Sequence, residues 1–223
     1  MLNLPLSFLQ RPAAPSTPRP WLLVLMHGVG SNEHDLFALA AQLPEHFHVL
    51  SLRAPHRMRP GAHAWFDFSI EPNGDRSIDE AQEAHSRALV AEAIAAAQAQ
   101  TGIPPERTVV GGFSQGGIMA LSLLLTRPEL MRAALVWHGR LLAQVVPPTA
   151  PLAAGGATRL WVSHGSHDAV IPVQHAHALC HHMDSLPVSV TYREFPSAHE
   201  IRPGELAATL EWLESLVTGA VPL

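Results

Sequence analysis

Ser114 stands in Gly112-Phe113-Ser114-Gln115-Gly116, and this spacing of glycines about a serine is the feature of the chain best suited to chemistry. The five residues follow a stretch that reads as a strand over 107–111 and precede one that reads as a helix over about 115–126. A G-x-S-x-G between strand and helix makes a turn tight enough to hold the serine in a strained backbone conformation, its hydroxyl clear of the sheet. A Cβ at either flanking position would strike neighbouring backbone, so both are glycine. A hydroxyl at its own pKa is a weak nucleophile and needs a base, which in turn needs an acceptor to orient it. Ser197-Ala198-His199-Glu200 supplies the base in His199, and His164-Gly165-Ser166-His167-Asp168 supplies the acceptor in Asp168. Asp168 follows the strand-like stretch 160–163 and His199 the alternating one at 188–195, in the order serine, acid, histidine. His199 would take the serine proton and return it to the leaving group, while Asp168 fixes the imidazole tautomer. Two backbone N–H groups can meet a developing oxyanion: Val29, in the turn His27-Gly28-Val29-Gly30, and Gln115, directly after the serine.

The elements that must position these residues alternate along the chain. Trp21–Met26 is apolar throughout, as expected of a strand covered on both faces. A helix is predicted over about 35–43, stopping before Pro44, then a strand over 48–53. Residues 54–76, with Pro55, Pro60, Gly61, Pro72 and Gly74, read as a long irregular loop of functional character. Ser77-Ile78-Asp79-Glu80 has the form of a capping box with Ser77 as N-cap, ahead of an alanine-rich helix that Gly102 and Pro104 end. Strands follow at 133–137, 160–163 and 188–195, helices at 173–185 and 205–217, and a Pro-, Ala- and Gly-rich surface loop at 143–158. This alternation predicts an α/β fold, a mostly parallel central sheet with helices on both faces, in the manner of an α/β-hydrolase. Residues 1–20, with four prolines between 12 and 20, read as an extended N-terminal segment, and 21–223 as a single domain.

The bulk properties narrow the function. All 14 basic residues are arginine and the net charge is −5, which argues against nucleic acid or an anionic membrane as partner. No run of 18 apolar residues occurs, and the first eight residues lack the charged start and unbroken apolar core of a secretory signal, so a cytoplasmic protein without stable membrane insertion is expected. Cys180 is the single cysteine and reads as apolar filler. His175, His177, His181 and His182 cluster on a predicted helix, but no carboxylate or cysteine completes a ligand set, and no metal is expected. Asp67 reads as a residue that holds its own loop, and His27 as support for the oxyanion turn.

His27-Gly28-x-Gly30, Trp65-Phe66-Asp67, Gly112-Phe113-Ser114-Gln115-Gly116-Gly117, His164-Gly165-x-x-Asp168-x-x-Ile171-Pro172 and Ala198-His199-Glu200-Ile201 together resemble the motif series of the phospholipase/carboxylesterase family, which includes acyl-protein thioesterases and small bacterial esterases. The resemblance spans about 21–217. It implies a serine hydrolase of carboxylic esters or thioesters without metal or organic cofactor, with Ser114, Asp168 and His199 catalytic and Val29 and Gln115 as the oxyanion pair. One departure stands out: where the family pattern has a Ser-Gly pair after the strand that follows the elbow, this chain has Trp137-His138-Gly139. Two bulky groups there are expected to narrow the acyl pocket. Trp65, Phe66, Trp137 and Ile171 are the expected substrate walls, and the expected substrate is a small ester with a short-to-medium apolar acyl part. A thioesterase or lysophospholipase is the alternative reading. A non-catalytic binding module on the same scaffold is a third, opposed by the presence of all three reactive residues. A homodimer is compatible with the sequence and not read from it.

Overall fold

The structure, a computed structural model, describes residues 2–70, 76–146, 152 and 158–219. In chain order its elements are β1 (Phe8–Arg11), β2 (Trp21–Met26), α1 (His34–Phe37), β3 (Phe47–Leu52), β4 (His56–Arg59), β5 (Ala62–Ala64), β6 (Phe68–Ile70), β7 (Arg76–Ile78), α2 (Glu80–Thr101), β8 (Thr108–Phe113), α3 (Gln115–Thr126), β9 (Ala133–Trp137), β10 (Thr158–Gly165), α4 (Gln174–Met183), β11 (Val188–Phe195) and α5 (Pro203–Thr218). Seven strands form one sheet in the order β1-β3-β2-β8-β9-β10-β11. Only β1 runs antiparallel to its neighbour.

The apolar runs explain the layering. Side chains alternate faces along a strand. Leu22, Val24 and Met26 of β2 therefore enter one core with Val90, Ile94, Leu121 and Leu179 of α2, α3 and α4. Leu23 and Leu25 enter the other, with Leu36 of α1 and Trp212, Leu213 and Leu216 of α5. Helices cover both faces, so every β2 side chain is buried. A parallel sheet of this kind gathers its functional groups outside the carboxyl ends of the strands. Val29, Ser114, His138, Asp168 and His199 lie just beyond the ends of β2, β8, β9, β10 and β11, five consecutive neighbours in the sheet.

Four local expectations give way. The N-terminal segment adds β1 to the sheet edge, pairing Phe8 with Leu52. The helix expected over 35–43 is α-helical only to Phe37. Beyond it Leu39, Ala40 and Gln42 donate three residues back, so Leu36, Ala40 and Leu43 are buried through tight turns of similar spacing. The irregular loop contains two hairpins, β4–β5 and β6–β7. The cap of α2 is Asp79, whose carboxylate accepts from the Gln82 N–H at 2.9 Å. Ser77 is instead paired opposite Ser69 in the β6–β7 hairpin and cannot reach the helix start. Within the loop expected at 143–158, residues 143–145 form a helical turn that buries Val145, and 147–151 and 153–157 lie outside the described residues.

Candidate active site

The elbow is strained as its glycines require. Ser114 has φ 54° and ψ −117°, a region that costs a non-glycine residue free energy of order 1–3 kcal/mol. The turn is pinned by the Ser114 N–H donating to the Trp137 carbonyl at 2.8 Å. A Cβ on Gly116 would overlap the Met26 carbonyl, and one on Gly112 would overlap Gly116, so α3 packs directly on the end of β2. The hydroxyl emerges beside His199, whose Nε2 lies 2.9 Å from Ser114 Oγ. His199 Nδ1 lies 2.7 Å from Asp168 Oδ2. The other carboxylate oxygen, Oδ1, accepts the N–H groups of Val170 and Ile171 at 2.9 and 2.8 Å, which fixes the carboxylate plane.

The oxyanion side is equally constrained. Val29, Ser114 and Gln115 line one small space, and no hydrogen bond among the described residues takes up the N–H of Val29 or Gln115. The Gln115 side chain is clamped at both ends: its Oε1 accepts from Trp65 N at 2.8 Å and its Nε2 donates to Phe66 O at 2.6 Å. His27 holds the facing turn. Its Nε2 accepts from Ala54 N at 3.1 Å, so Nδ1 carries the proton and donates to Gly28 O at 2.7 Å. Burial keeps this imidazole neutral by pushing its pKa down. Asp67 serves its loop as expected, with its carboxylate accepting from Gln82 Nε2 at 3.2 Å.

Behind Asp168 lies a second imidazole. His138, at φ 52°, is fully buried. Its Nδ1 is 2.9 Å from Asp168 Oδ2 and its Nε2 3.3 Å from Glu205 Oε2. Glu205 is fully buried as well, and its other oxygen accepts from Ser163 Oγ at 2.7 Å. An imidazole facing carboxylates with both nitrogens satisfies both only as an imidazolium. Burial opposes that charge, but Glu205 and then Asp168 outweigh it and raise the His138 pKa. Burial dominates at His199 and lowers its pKa against the pull of Asp168, with His138 and Arg76 adding to the lowering. Burial would raise Asp168, but donors from His199, His138 and Ile171 hold it below the ordinary aspartate value. The site therefore holds a base whose pKa is pushed down, an orienting carboxylate held below its ordinary value and, behind it, an imidazole whose pKa is raised between two carboxylates. It can deprotonate a hydroxyl and stabilise an oxyanion.

His138, His164 and Asp168 also converge closely enough to suggest a metal. Each of these groups is already engaged by a neighbour, His138 by Asp168 and Glu205 and His164 Nε2 by the Ile171 carbonyl at 2.7 Å, so they form a hydrogen-bond network. Among the helix histidines, His177 Nε2 faces Glu194 Oε1 at 2.6 Å near the surface. Cys180 is half-buried against the core, and burial pushes its thiol up to about 11.

Of the sequence-predicted residues, the structure brings Ser114, Asp168, His199, Val29 and Gln115 together. Phe66 and Ile171 line the space at Ser114. Trp65 and Trp137 do not: Trp65 is fully buried, its indole donating to His27 O at 2.9 Å, and Trp137 is buried under α5, donating to Thr209 Oγ1 at 3.1 Å. His138 likewise points back toward Glu205, so neither bulky residue narrows the pocket. Sequence reasoning missed Glu205. The available signal was its place on the buried stripe of α5, with Thr209, Trp212, Leu213 and Leu216, where an unpaired acid would be costly.

Comparison with known proteins agrees with this architecture. The family model described as Phospholipase/Carboxylesterase matches residues 10–217. Esterase YpfH of Escherichia coli (strain K12) is 29% identical over 169 residues, covering 73% of this chain and 68% of that protein. Acyl-protein thioesterase 1 of Gibberella zeae (strain ATCC MYA-4620 / CBS 123657 / FGSC 9075 / NRRL 31084 / PH-1) is 33% identical over 112 residues, covering 48% of this chain and 46% of its own length. The crystal structure of esterase PE8 superposes with a TM-score of 0.82 at 27% identity, over 95% of this chain and 99% of that one.

Proposed function

The chain belongs to the phospholipase/carboxylesterase family of α/β-hydrolases and is an esterase-type hydrolase; on that premise we propose that it cleaves carboxylic esters through an acyl-serine intermediate. The observation that carries this reading is the double engagement of His199, 2.9 Å from Ser114 Oγ on one nitrogen and 2.7 Å from Asp168 on the other. His199 takes the Ser114 proton as Oγ bonds to the ester carbon. The carbonyl oxygen becomes an oxyanion held by the N–H groups of Val29 and Gln115, each worth about 3 kcal/mol of transition-state stabilisation. The C–O bond to the alcohol then breaks, and His199 hands its proton to the departing oxygen. Water repeats the sequence on the acyl-serine and releases the acid.

The space at Ser114 is small, about 30 Å³, with Phe66, Ile118 and Ile171 among its walls. This favours a short acyl chain that is apolar next to the scissile carbon. On the other side of His199 a cavity of about 300 Å³, with Leu36, Leu39, Phe113 and Ile201 in its lining, suits the alcohol part. The named likeness to an acyl-protein thioesterase supports a second reading, a thioester substrate at the same residues. Turnover of matched ethyl esters and thioesters separates the two.

The test is Ser114→Ala. Turnover of p-nitrophenyl butyrate should fall by about 10⁶-fold if the three residues act as a unit. A fluorophosphonate probe should label the wild type at Ser114 and leave the variant untouched. A variant with wild-type turnover would refute the reading.

A further inference from the structure

Two arginines face the candidate site from different elements. Arg76, at the start of β7, and Arg140, three residues past β9, both line the small space at Ser114. Both also line an adjoining cavity of about 520 Å³, whose walls include Ile70, Val170, Ile171 and His175. Ile171 is common to the two spaces, so the larger one continues the smaller away from the oxyanion donors.

Neither guanidinium has a carboxylate partner among the described residues. Arg76 lies over the Phe68 ring, 5.2 Å from its centroid, and Arg140 is half-buried. Burial and then the charge of Arg76 both weigh against the Arg140 cation. The same two charges act, after burial, to hold His175 neutral. Two cations lining one cavity with no carboxylate partner among the described residues suit an anion, and a guanidinium fork matches a carboxylate in particular. The walls between them and Ser114 are apolar, and Ile70 and Val170 are exposed at the cavity. His199 protonates the leaving oxygen on its own side, toward the 300 Å³ cavity, so the arginines stand on the acyl side.

We propose that Arg76 and Arg140 bind a carboxylate at the far end of the acyl chain, and that the preferred substrates are half-esters of short dicarboxylic acids. This rests on the ester-hydrolase reading and replaces the wholly apolar acyl group expected from the sequence with one apolar near the ester and anionic at its tip. The reaction releases a dicarboxylate and an alcohol.

The experiment compares kcat/KM for monoethyl succinate, glutarate and adipate with ethyl butyrate, valerate and hexanoate, which replace the carboxylate by a methyl group. At least one half-ester should exceed its neutral partner by tenfold or more. The ratio should fall toward one in Arg140→Gln and in Arg76→Gln, recover in part in Arg140→Lys, and shrink with added salt in the wild type. Circular dichroism confirms folding of each variant. Calorimetry on Ser114→Ala provides a readout independent of turnover: monoethyl adipate should bind, and the same protein carrying Arg140→Gln should lose that binding. Preference for the neutral esters, or a ratio unmoved in both arginine variants, overturns the anion site and leaves the hydrolase reading standing. Binding of the half-ester without cleavage of any ester would do the reverse.

Discussion

Three imidazoles approach Asp168 Oδ2: His199 at 2.7 Å, His138 at 2.9 Å and, at 3.3 Å, His164, whose Nε2 is engaged by the Ile171 carbonyl. The nearest two have pKa values displaced in opposite directions. His199 has a serine hydroxyl on its second nitrogen and lines a cavity; its pKa is lowered. His138 has a second carboxylate on its far side and no solvent exposure; its pKa is raised. What stands on the far nitrogen decides the state. Burial disfavours both cations, and only the second carboxylate overcomes it. In the proposed mechanism the front imidazole gains and loses a proton in each turnover, while the raised pKa of the back one favours its cation against the shared carboxylate.

Asp168→Asn should break both halves at once. An amide in place of the carboxylate favours the wrong His199 tautomer, and turnover of p-nitrophenyl butyrate should drop by about 10⁴-fold. A variant within tenfold of wild type would mean that His199 is oriented by something else.

Glu205→Gln acts directly on the back half and reaches the front only through His138. Removing one partner of a buried ion pair costs about 3 kcal/mol or more, roughly 6–12 °C in Tm for a domain of this size, read by thermal denaturation near pH 6. Turnover should change by less than tenfold. The sign of the pH dependence follows from the raised His138 pKa. Stability from its bridge is fully present below the unfolded imidazole value of about 6.5 and is lost as pH rises through the folded value. The Tm gap between wild type and variant should therefore narrow on the alkaline side. A gap that widens there would remove the imidazolium from the back half.

The contrast between front and back is also one of legibility. The front residues sit in loops after strands that are apolar or, before His199, alternating, where glycines and the order serine, acid, histidine announce them. The buried strands were readable because helices on both faces leave no polar position to blur the run, as in Trp21–Met26. The back half was not readable. His138 showed only as an odd bulky residue, and Glu205 only as an acid early in a helix, because nothing local ties residue 138 to residue 205. The β4–β5 and β6–β7 hairpins were missed for a related reason. Their strands are three or four residues long, too short to show a periodicity, and apart from β5, which buries Ala62 and Ala64, they are mostly exposed. The arginines of the cavity escaped notice because one lies in such a hairpin and the other in the turn after His138.

The smallest expected effect is the most specific to the comparison. His138→Gln keeps a side-chain N–H that can reach Asp168 while removing the charge. The His199 imidazole is pushed down chiefly by burial, pulled up by Asp168, and pushed down again by His138 and by Arg76. Taking away the His138 charge removes one of the downward pushes, so the base protonates at a higher pH than in the wild type. Because only neutral His199 can accept the serine proton, the acid limb of kcat/KM should move toward higher pH. The loss should be of the order of a few-fold on the acid side and small above pH 8, where the base is neutral in both proteins. Pre-steady-state or initial-rate profiles with a neutral ester, run at constant ionic strength, give the measurement. Glu205→Gln should move the limb in the same direction, since it removes the largest upward influence on the His138 charge. A limb that moves toward lower pH in either variant would show that the back imidazole is not the charge felt at the front.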